Sequence, residues 1–529
     1  MATIAQAAGD EGRTYWALVS RQFARRRSAV VGGVVVLGLF TLAIFAPLLA
    51  NGYPYYARIE NPHAYRTDFN GWTINHRALA VQLARANTPA AEEALAERFK
   101  ACAIKLLQMK LQLDDERVAV AATLEELYER AEDAELSDRP ALAKELTVAL
   151  EPARQALNPD KVQLVARDYY PLVRQISAPE VFAMALYVCA FAYALGAWRP
   201  ARAVVARLGA ARHTPAIARA LVLLAIPAAA ALAWRIAVPR VADHTPYDVL
   251  ARESGADVRF LPIPYFPDKA TSGVPVFLPP SWTSRSQERI GEHAAITNKP
   301  RYEPIAPHLL GTDQYGYDVL ARMIWGARIS LSVGFISVGL YGLIGVIVGA
   351  LAGYYRGSID MAMSRVIEVV ICFPTMFLII IIMSFVPPSV VTVMVVIGIT
   401  GWPGVARLVR GEFLRLASSD FVTAAQALGI RTPRIIFRHI LPNAIAPVLV
   451  VAAFGIAGTI LTESALSYLG IGVPLDTPTW GALLRGVKSN PKGNWWLTVF
   501  PGAAVFVAVT AYNLVAEGMR DAIDPKLKE

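Results

Sequence analysis

Charge is sparse and cysteine almost missing from this 529-residue chain, and each shortage removes a class of function. Only 18% of residues are charged while 55% are hydrophobic, and mean hydropathy is +0.40, a balance beyond that of ordinary soluble domains. Cys102, Cys189 and Cys372 form no ligand cluster and no disulfide framework; Cys189 and Cys372 fall in apolar runs as packing residues, which leaves Cys102 as the lone thiol outside the membrane. No GxxxxGK[ST] loop is present to cradle phosphates, so the chain is expected to bind no cofactor of its own and to draw its energy from another subunit. HExxH, CxxC and a nucleophile elbow are also missing, which leaves a membrane-embedded hydrolase without a catalytic site. The net charge of +9 comes without a basic face interleaved with stacking aromatics, so no nucleic-acid partner is expected.

What is present is a series of long apolar runs. The first, 29–50, is long enough to cross about 30 Å of hydrocarbon at about 1.5 Å per residue. Arg13, Arg21, Arg25, Arg26 and Arg27 precede it and place segment 1–28 in the cytoplasm. The run exceeds a signal-peptide core and its exit through Pro47 and Leu48 lacks a small-x-small site, so it reads as a retained anchor in the lipid bilayer. Five further spans are expected at 326–354, 362–386, 389–408, 444–470 and 497–517, within a core of 326–518 followed by a tail of 519–529. Alternation puts Arg407, Arg410 and Arg415 on the cytoplasmic side together with Arg520, Lys526 and Lys528, so both termini are expected there; Arg485, Lys488 and Lys492 fall outside as a mild exception.

Between the first span and the core, charges recur too often for a membrane segment over 51–179, which reads as a soluble, helical, extracytoplasmic insert. Val120, Leu124, Leu127 and Ala131 mark one helical face and Leu142, Leu146 and Leu150 another. Asp138, Arg139 and Pro140 signal a helix start and Asn158 with Pro159 a stop. His63 and His76 are read as solvated surface. Two apolar runs within 180–240, joined by Arg199, Arg202, Arg207 and Arg212, predict an extra transmembrane hairpin with a cytoplasmic connector and with Trp198 and Trp234 at its interfaces; a pair of helices buried within the insert is the competing reading. Residues 241–325 are rich in Pro and aromatics and read as an extended outer loop.

One polar stretch stands out among the apolar ones, FVTAAQALGIRTPRIIFRHILPN at 421–443, within a cytoplasmic loop of 405–443. Its first helix runs through Ala424, Ala425 and Ala427 and stops at Gly429. Thr432 is the expected cap of the second, Pro433 suits its first turn, Ile435, Ile436 and Ile440 give it an apolar stripe, and Pro442 is expected to prevent smooth continuation. Such a hairpin suits docking at the membrane surface; an amphipathic connector lying on the membrane is the bland alternative.

Here the chain resembles the permease subunits of bacterial ABC importers, whose cytoplasmic loop carries EAA, a Gly four residues after the second Ala, and a distal Leu-Pro. Ala424, Ala425, Gly429, Leu441 and Pro442 match, whereas Thr423 stands where Glu is usual and His439 where Ile is usual; Arg438 lies beside it. Three more stretches resemble the dipeptide, oligopeptide and nickel branch: GTDQYGYDVLARMIWGARISL at 311–331, LTESALSYLGIGVP at 461–474 and NLVAEGMRDAIDPKL at 513–527. The first carries Gly311, Thr312, Asp313, Gly316 and Asp318, with Tyr317 where Arg is usual. The resemblance implies an all-α polytopic membrane protein with the type I ABC importer fold in the bacterial inner membrane. It implies partners: a second homologous permease, two cytoplasmic ATPases that hydrolyse ATP while docked on the 405–443 loop, and an extracytoplasmic solute-binding protein. Peptides or related small solutes are the implied cargo. A scaffold or receptor derived from such a permease is the alternative left by the departures at Thr423, His439 and Tyr317.

A few polar residues within the spans need a reason, because an ionisable group in hydrocarbon costs about 2.5–3.5 kcal/mol on insertion scales. Glu463 is the clearest, with three roles open: lining the path, meeting the second permease, or supporting the turn at Ser467, Tyr468 and Gly470. Arg365 and Glu368 are spaced to pair with each other, and Pro374 and Pro403 are expected to bend their helices.

Overall fold

A computed structural model describes residues 15–59, 62–83, 89–110, 113–132, 139–159, 167–194, 215–238, 247, 251, 257–268, 275–297, 306–474, 476–488 and 490–523. The chain divides into two compact units, one of residues 1–50 and 265–529 and one of 51–264. The arginine connector of the expected extra hairpin, Trp198, Arg13, Lys526 and Lys528 lie outside the described residues.

The first unit begins with α1 (Tyr15–Arg25) and α2 (Arg27–Ile44). The expected span to residue 50 ends six residues early, because Pro47 cannot donate to the helix and the chain breaks at Phe45.

The second unit opens with β1 (Tyr56–Ile59), followed by α3 (Pro62–Leu83), α4 (Pro89–Lys110), α5 (Asp115–Glu132) and α6 (Arg139–Ala156). The two expected helical faces are confirmed, with Leu124, Leu127, Ala131, Leu142, Leu146 and Leu150 all buried in one core with Tyr65, Trp72 and Leu106. His76 corrects its reading as surface: it is fully buried, on the same stripe as Phe69, Trp72 and Leu83. Its Nε2 lies 2.8 Å from the Leu146 carbonyl and its Nδ1 2.5 Å from the Tyr128 hydroxyl, which also accepts from Trp72 Nε1 at 2.8 Å. Burial lowers the imidazole pKa, so the neutral ring, donating through Nε2 and accepting at Nδ1, fits this network. Cys102 is buried nearby with its thiol pushed up to about 12, chiefly by burial.

The rest of this unit is β2 (Arg167–Tyr169), α7 (Ala178–Ala194), α8 (Pro215–Ala237) and β3 (Asp257–Arg259). The sequence reading contained no sheet. β1 pairs antiparallel with both others, Ala57 facing Tyr169 on one side and Val258 on the other. That sheet draws 257–259 from the expected outer loop into the insert and closes the unit on itself. α7 and α8 lie side by side, with Trp234 Nε1 donating to the Ile176 carbonyl at 3.0 Å. Their described apolar stretches, Ala178–Ala192 and Leu224–Ala237, are shorter than the 18 residues of the spans below.

The chain re-enters the first unit through α9 (Ser284–Thr297) and then α10 (Val319–Tyr355), α11 (Gly357–Cys372), α12 (Thr375–Ser384) and α13 (Val390–Leu416). Next come α14 (Asp420–Ala427), α15 (Thr432–Ile435), α16 (Leu441–Leu469) and α17 (Trp496–Ile523). Among the described residues five stretches are long and apolar enough to cross a membrane, and a sixth is the pair α11–α12 if counted as one bent span.

The core of this unit is built on close helix approach. A Cβ on Gly345, Gly349 or Gly353 of α10 would meet α13 within 2.5–2.6 Å, at Val405, the Ala406 carbonyl and Phe413 respectively. Small residues at this spacing let two membrane helices touch backbone to backbone. α2 lies along α17, where Gly32 faces the Ala511 carbonyl.

The two prolines expected to bend helices behave differently. Pro374 forces Phe373 into an extended conformation, and α11 and α12 meet at 81°. Pro403 is carried inside the unbroken α13. Arg365 and Glu368 pair as expected, at 2.6 Å and largely exposed. Cys372, read as a packing residue, is exposed at the end of α11. The corner before α11 is strained: Arg356 sits at φ 54°, ψ −168°, a region bulky residues avoid at a cost of about 1–3 kcal/mol.

Candidate functional site

The polar hairpin grows from the end of α13. α13 ends at Leu416, Ser419 is the residue before α14, and Thr423 donates a hydrogen bond to the Ser419 carbonyl at 3.2 Å. α14 is anchored by its apolar face. Val422 and Ala425 are buried against Phe413, Leu416, Ile435, Ile440 and Ala444. It ends in a tight left-handed cap: Gly429 has φ +71°, its N–H reaches the Gln426 carbonyl at 2.9 Å, and the Ile430 N–H reaches the Ala425 carbonyl at 3.1 Å. This is the Schellman arrangement, and it requires a residue that tolerates positive φ at position 429.

The second half departs from expectation in two places. Thr432 is the first residue of α15 rather than its cap, the flanking residue being Arg431 without a side-chain bond; Pro433 does occupy the first turn. Pro442 does not stop the chain. A π-helical turn at Ile436–Ile440 leads directly into α16, where Pro442 sits in the first turn. The Leu441 N–H bonds back to the Ile436 carbonyl across this wider turn, so Pro442, which has no N–H to donate, follows without breaking the helix.

Three apolar side chains on this hairpin face outward. Leu428 is 80% exposed, Phe437 68% and Phe421 43%. Phe421 shares an open cleft of about 460 Å³ with Arg415, Leu416, Arg438, His439 and Asn443, and Asn443 donates to the His439 carbonyl at 2.7 Å. Ala424 is exposed on α14, while Leu441 is half-buried at the start of α16. Ala425 and Gly429 belong to the sequence motif. In the structure Ala425 faces inward, and the outward knobs are Leu428 and Phe437, which carry no motif signal beyond being apolar next to a turn. The surface offered is apolar at its tips and basic at its rim, suited to a groove with acidic edges. Among the described residues no three His, Cys, Asp or Glu side chains gather as a metal site.

The motif at 311–318 is a folded clamp. Gly311, at φ +79°, passes so close to the Leu278 carbonyl that a Cβ would lie 2.4 Å away. Thr312 donates to the Pro275 carbonyl at 3.0 Å and accepts from the Leu278 N–H at 2.8 Å. Asp313 accepts from the N–H groups of Tyr315 and Tyr317 at 2.8 and 3.0 Å and faces Arg322 at 3.5 Å. Burial pushes the Asp313 carboxyl above the usual range, and Arg322 and those N–H groups oppose the shift. Gly316 turns the chain at φ +78°, and Asp318 caps α10 by accepting from the Ala321 N–H at 2.7 Å while its other oxygen meets His308 at 2.8 Å. Tyr317, where the family usually has Arg, packs its ring under the Arg322 guanidinium at 4.8 Å.

Glu463 is fully buried on α16. Ser330 of α10 donates to Oε2 at 3.2 Å and Ser467 to Oε1 at 2.8 Å. Of its three possible roles, these bonds match support of the 467–470 turn, with α10 tied in as well.

Comparison with known proteins now places the chain. The family described as binding-protein-dependent transport system inner membrane component matches residues 345–529, and the N-terminal TM domain of oligopeptide transport permease C matches 14–70. The dipeptide transport system permease protein of Alkalihalophilus pseudofirmus is 39% identical over 225 residues, 42% of this chain and 74% of that protein. The oligopeptide transport system permease protein of Bacillus subtilis is 37% identical over 226 residues, 43% and 74%. The glutathione transport system permease protein of Pectobacterium atrosepticum is 38% identical over 225 residues, 42% and 75%. A solved structure of the MetNI methionine ABC transporter in inward-facing conformations aligns over 38% of this chain and 95% of its own, at 17% identity and a TM-score of 0.31. The chain belongs to the family of binding-protein-dependent ABC importer permeases. It is a multi-pass membrane transport subunit and not itself an enzyme. Residues 71–344, which hold most of the insert, lie between the two matched regions.

Proposed function

We propose that this permease moves peptides or closely related small solutes into the bacterial cytoplasm, beside a second homologous permease, on ATP hydrolysed by two cytoplasmic ATPases, with solute delivered by an extracytoplasmic binding protein. The names of the relatives, which include dipeptide, oligopeptide and glutathione permeases, support the cargo class. Both termini and the 405–443 loop are cytoplasmic in this reading, supported by the arginines at 21–27, 407–415 and 520. One observation carries the coupling assignment: a hairpin held rigidly by Val422, Ala425, Ile435 and Ile440 presents Leu428 and Phe437 to solvent. Exposed apolar tips on a fixed support suit docking into a partner. Thr423, Ala424, Arg438 and His439 surround that contact, whereas Ala425, Gly429, Leu441 and Pro442 hold its shape. The Gly311–Asp318 clamp and Glu463 hold α10 and α16 in place.

The test is purification of the tagged chain from its native membrane in mild detergent, followed by reconstitution with its companions into proteoliposomes. Recovery of a second permease and P-loop ATPases, with ATP-dependent peptide uptake, is expected. A folded chain recovered alone or with unrelated envelope proteins overturns the proposal and leaves the scaffold or receptor.

A further inference from the structure

α11 buries a single residue, Ile367, and polar contacts hold its beginning. Arg410 of α13 grips both oxygens of Asp360 in the first turn, Nε to Oδ1 at 2.5 Å and Nη2 to Oδ2 at 2.8 Å. Immediately before, Arg356 reaches from its strained corner and donates through Nη2 to the Leu414 carbonyl at 3.2 Å. That carbonyl belongs to the last turn of α13, where intrahelical partners run out. Both contacts therefore end on the stretch 410–416, whose other side, at Phe413 and Leu416, packs against the hairpin residues Val422, Ala425, Ile435 and Ile440.

Beyond this grip α11 is exposed along most of its length, Ile367 being its buried residue. It ends at the 81° break of Phe373 and Pro374. α12 then packs on the opposite end of α13, Ile379 and Met383 joining Val393, Met394, Val396 and Ile397. α11 is thus a crossbar with a proline corner at one end and a charged fork at the other. α10 and α13, by contrast, are locked together through Gly345, Gly349 and Gly353. A non-glycine residue in the Arg356 conformation persists only where its surroundings hold it, and such strain gathers at elements that switch. An arginine–carboxylate fork is directional and breaks cleanly when its partners separate.

We propose that Asp360, Arg410 and Arg356 form the joint through which the docking hairpin moves α11: displacement of the 410–416 stretch opens the fork, releases the Arg356 corner and lets α11 swing about Phe373–Pro374. These are positioning residues, and the proposal rests on the permease reading above. It predicts that α11 changes place during the transport cycle while α10 and α13 move as one body.

The experiment uses the complete transporter in proteoliposomes and measures solute taken up per ATP hydrolysed for Asp360→Arg, Arg410→Asp and the swapped double variant. Each single variant should lower that ratio about tenfold or more while hydrolysis stays within about threefold of wild type, and the swap should restore the ratio to within about threefold, as expected of two coupled sites. A merely structural fork would lower uptake and hydrolysis in parallel, with the ratio kept. That result, an unrescued swap, or single variants that behave as wild type overturns the joint. A second measurement follows spin labels at Met361→Cys and Ser418→Cys, in a chain with Cys102, Cys189 and Cys372 changed to Ala. The label distance should differ between nucleotide-free and ATP-bound complexes, and an unchanged distance overturns the swing. Wild-type uptake separates the two claims: if wild type transports and these readouts fail, the joint is wrong and the permease reading stands.

Discussion

Truncating the two outward knobs of the hairpin, Leu428→Ala and Phe437→Ala, isolates docking from folding. Leu428 is 80% exposed and Phe437 68%, so neither contributes much to the chain's own core, and each substitution should change its stability by no more than about 0.5 kcal/mol. Burying such a side chain fully is worth about 1.5–3 kcal/mol. Scaling about 2 kcal/mol by the exposed fractions gives roughly 1.6 and 1.4 kcal/mol on docking, or about 3 kcal/mol for the pair, on the order of a hundredfold in affinity. The assay titrates the purified ATPase subunits against the tagged permease in mild detergent and reads the midpoint of retention, with thermal unfolding of the permease alone as the control. A double variant that unfolds like wild type and still retains the ATPases within about threefold would refute docking through these tips. Bulky substitution of Gly429 is a poorer probe. Open space surrounds its Cβ position, but φ +71° adds backbone strain of about 1–2 kcal/mol for any L side chain, so a loss there mixes cap and contact.

The remaining expectations concern the scaffold. Gly349→Val should cost about 1–3 kcal/mol or prevent folding, because its Cβ meets the Ala406 carbonyl at 2.5 Å and Val409 Cβ at 2.7 Å; Gly404→Ala, in open space inside α13, should be neutral or stabilise by up to about 1 kcal/mol, both read as thermal unfolding in detergent. Glu463→Gln keeps one acceptor oxygen for one serine and offers its amide N–H to the other hydroxyl oxygen, so it should lie within about 1 kcal/mol of wild type, whereas Glu463→Leu leaves both buried hydroxyls unpaired at about 2–4 kcal/mol in the same assay; equal effects of the two would count against the hydrogen-bonded role. His76 has its folded pKa below the ordinary 6.5, so the stability it confers is fully present above 6.5 and is lost as pH falls towards and through the folded value. Hydrogen exchange of the 65–83 segment in the full chain, corrected for intrinsic rates, should show that loss in wild type and not in His76→Phe.

The spans were legible because hydropathy over 18 or more residues is a long signal, and the hairpin was legible because Gly429 and Pro433 punctuate it within a few positions. The strands were not. β1, β2 and β3 are four, three and three residues long, too short for a period-two pattern, and they come from three distant parts of the chain. Only tertiary pairing defines them. His76 was legible in principle: Tyr65, Phe69, Trp72, His76 and Leu83 share one helical spacing, and a polar residue on such a stripe is buried when partners exist for its ring nitrogens. The partners, Tyr128 and the Leu146 carbonyl, are 52 and 70 residues away and no local window contains them.

The candidate site shows the same division between local chemistry and long-range geometry. Gly429 announced its turn because positive φ is a property of one residue. Pro442 misled because its effect depends on the π-turn before it, whose wider spacing carries the helix past the proline. Ala425 and Leu428 differ by three positions and in sequence both are apolar neighbours of the same turn. What turns one inward and the other out is the far wall, Phe413 and Leu416 from α13 with Ile435 and Ile440 from the returning helical half of the hairpin. The motif residues Ala425 and Gly429 thus hold the shape of the hairpin, while the outward knobs Leu428 and Phe437 lie outside the motif. By that logic exposed Thr423 and half-buried His439, where this chain departs from its family's usual Glu and Ile, are expected to alter the rim of the docking surface while leaving its support intact. Restoring the usual residues, Thr423→Glu and His439→Ile, should then shift which ATPase is retained without moving the unfolding temperature of the permease alone.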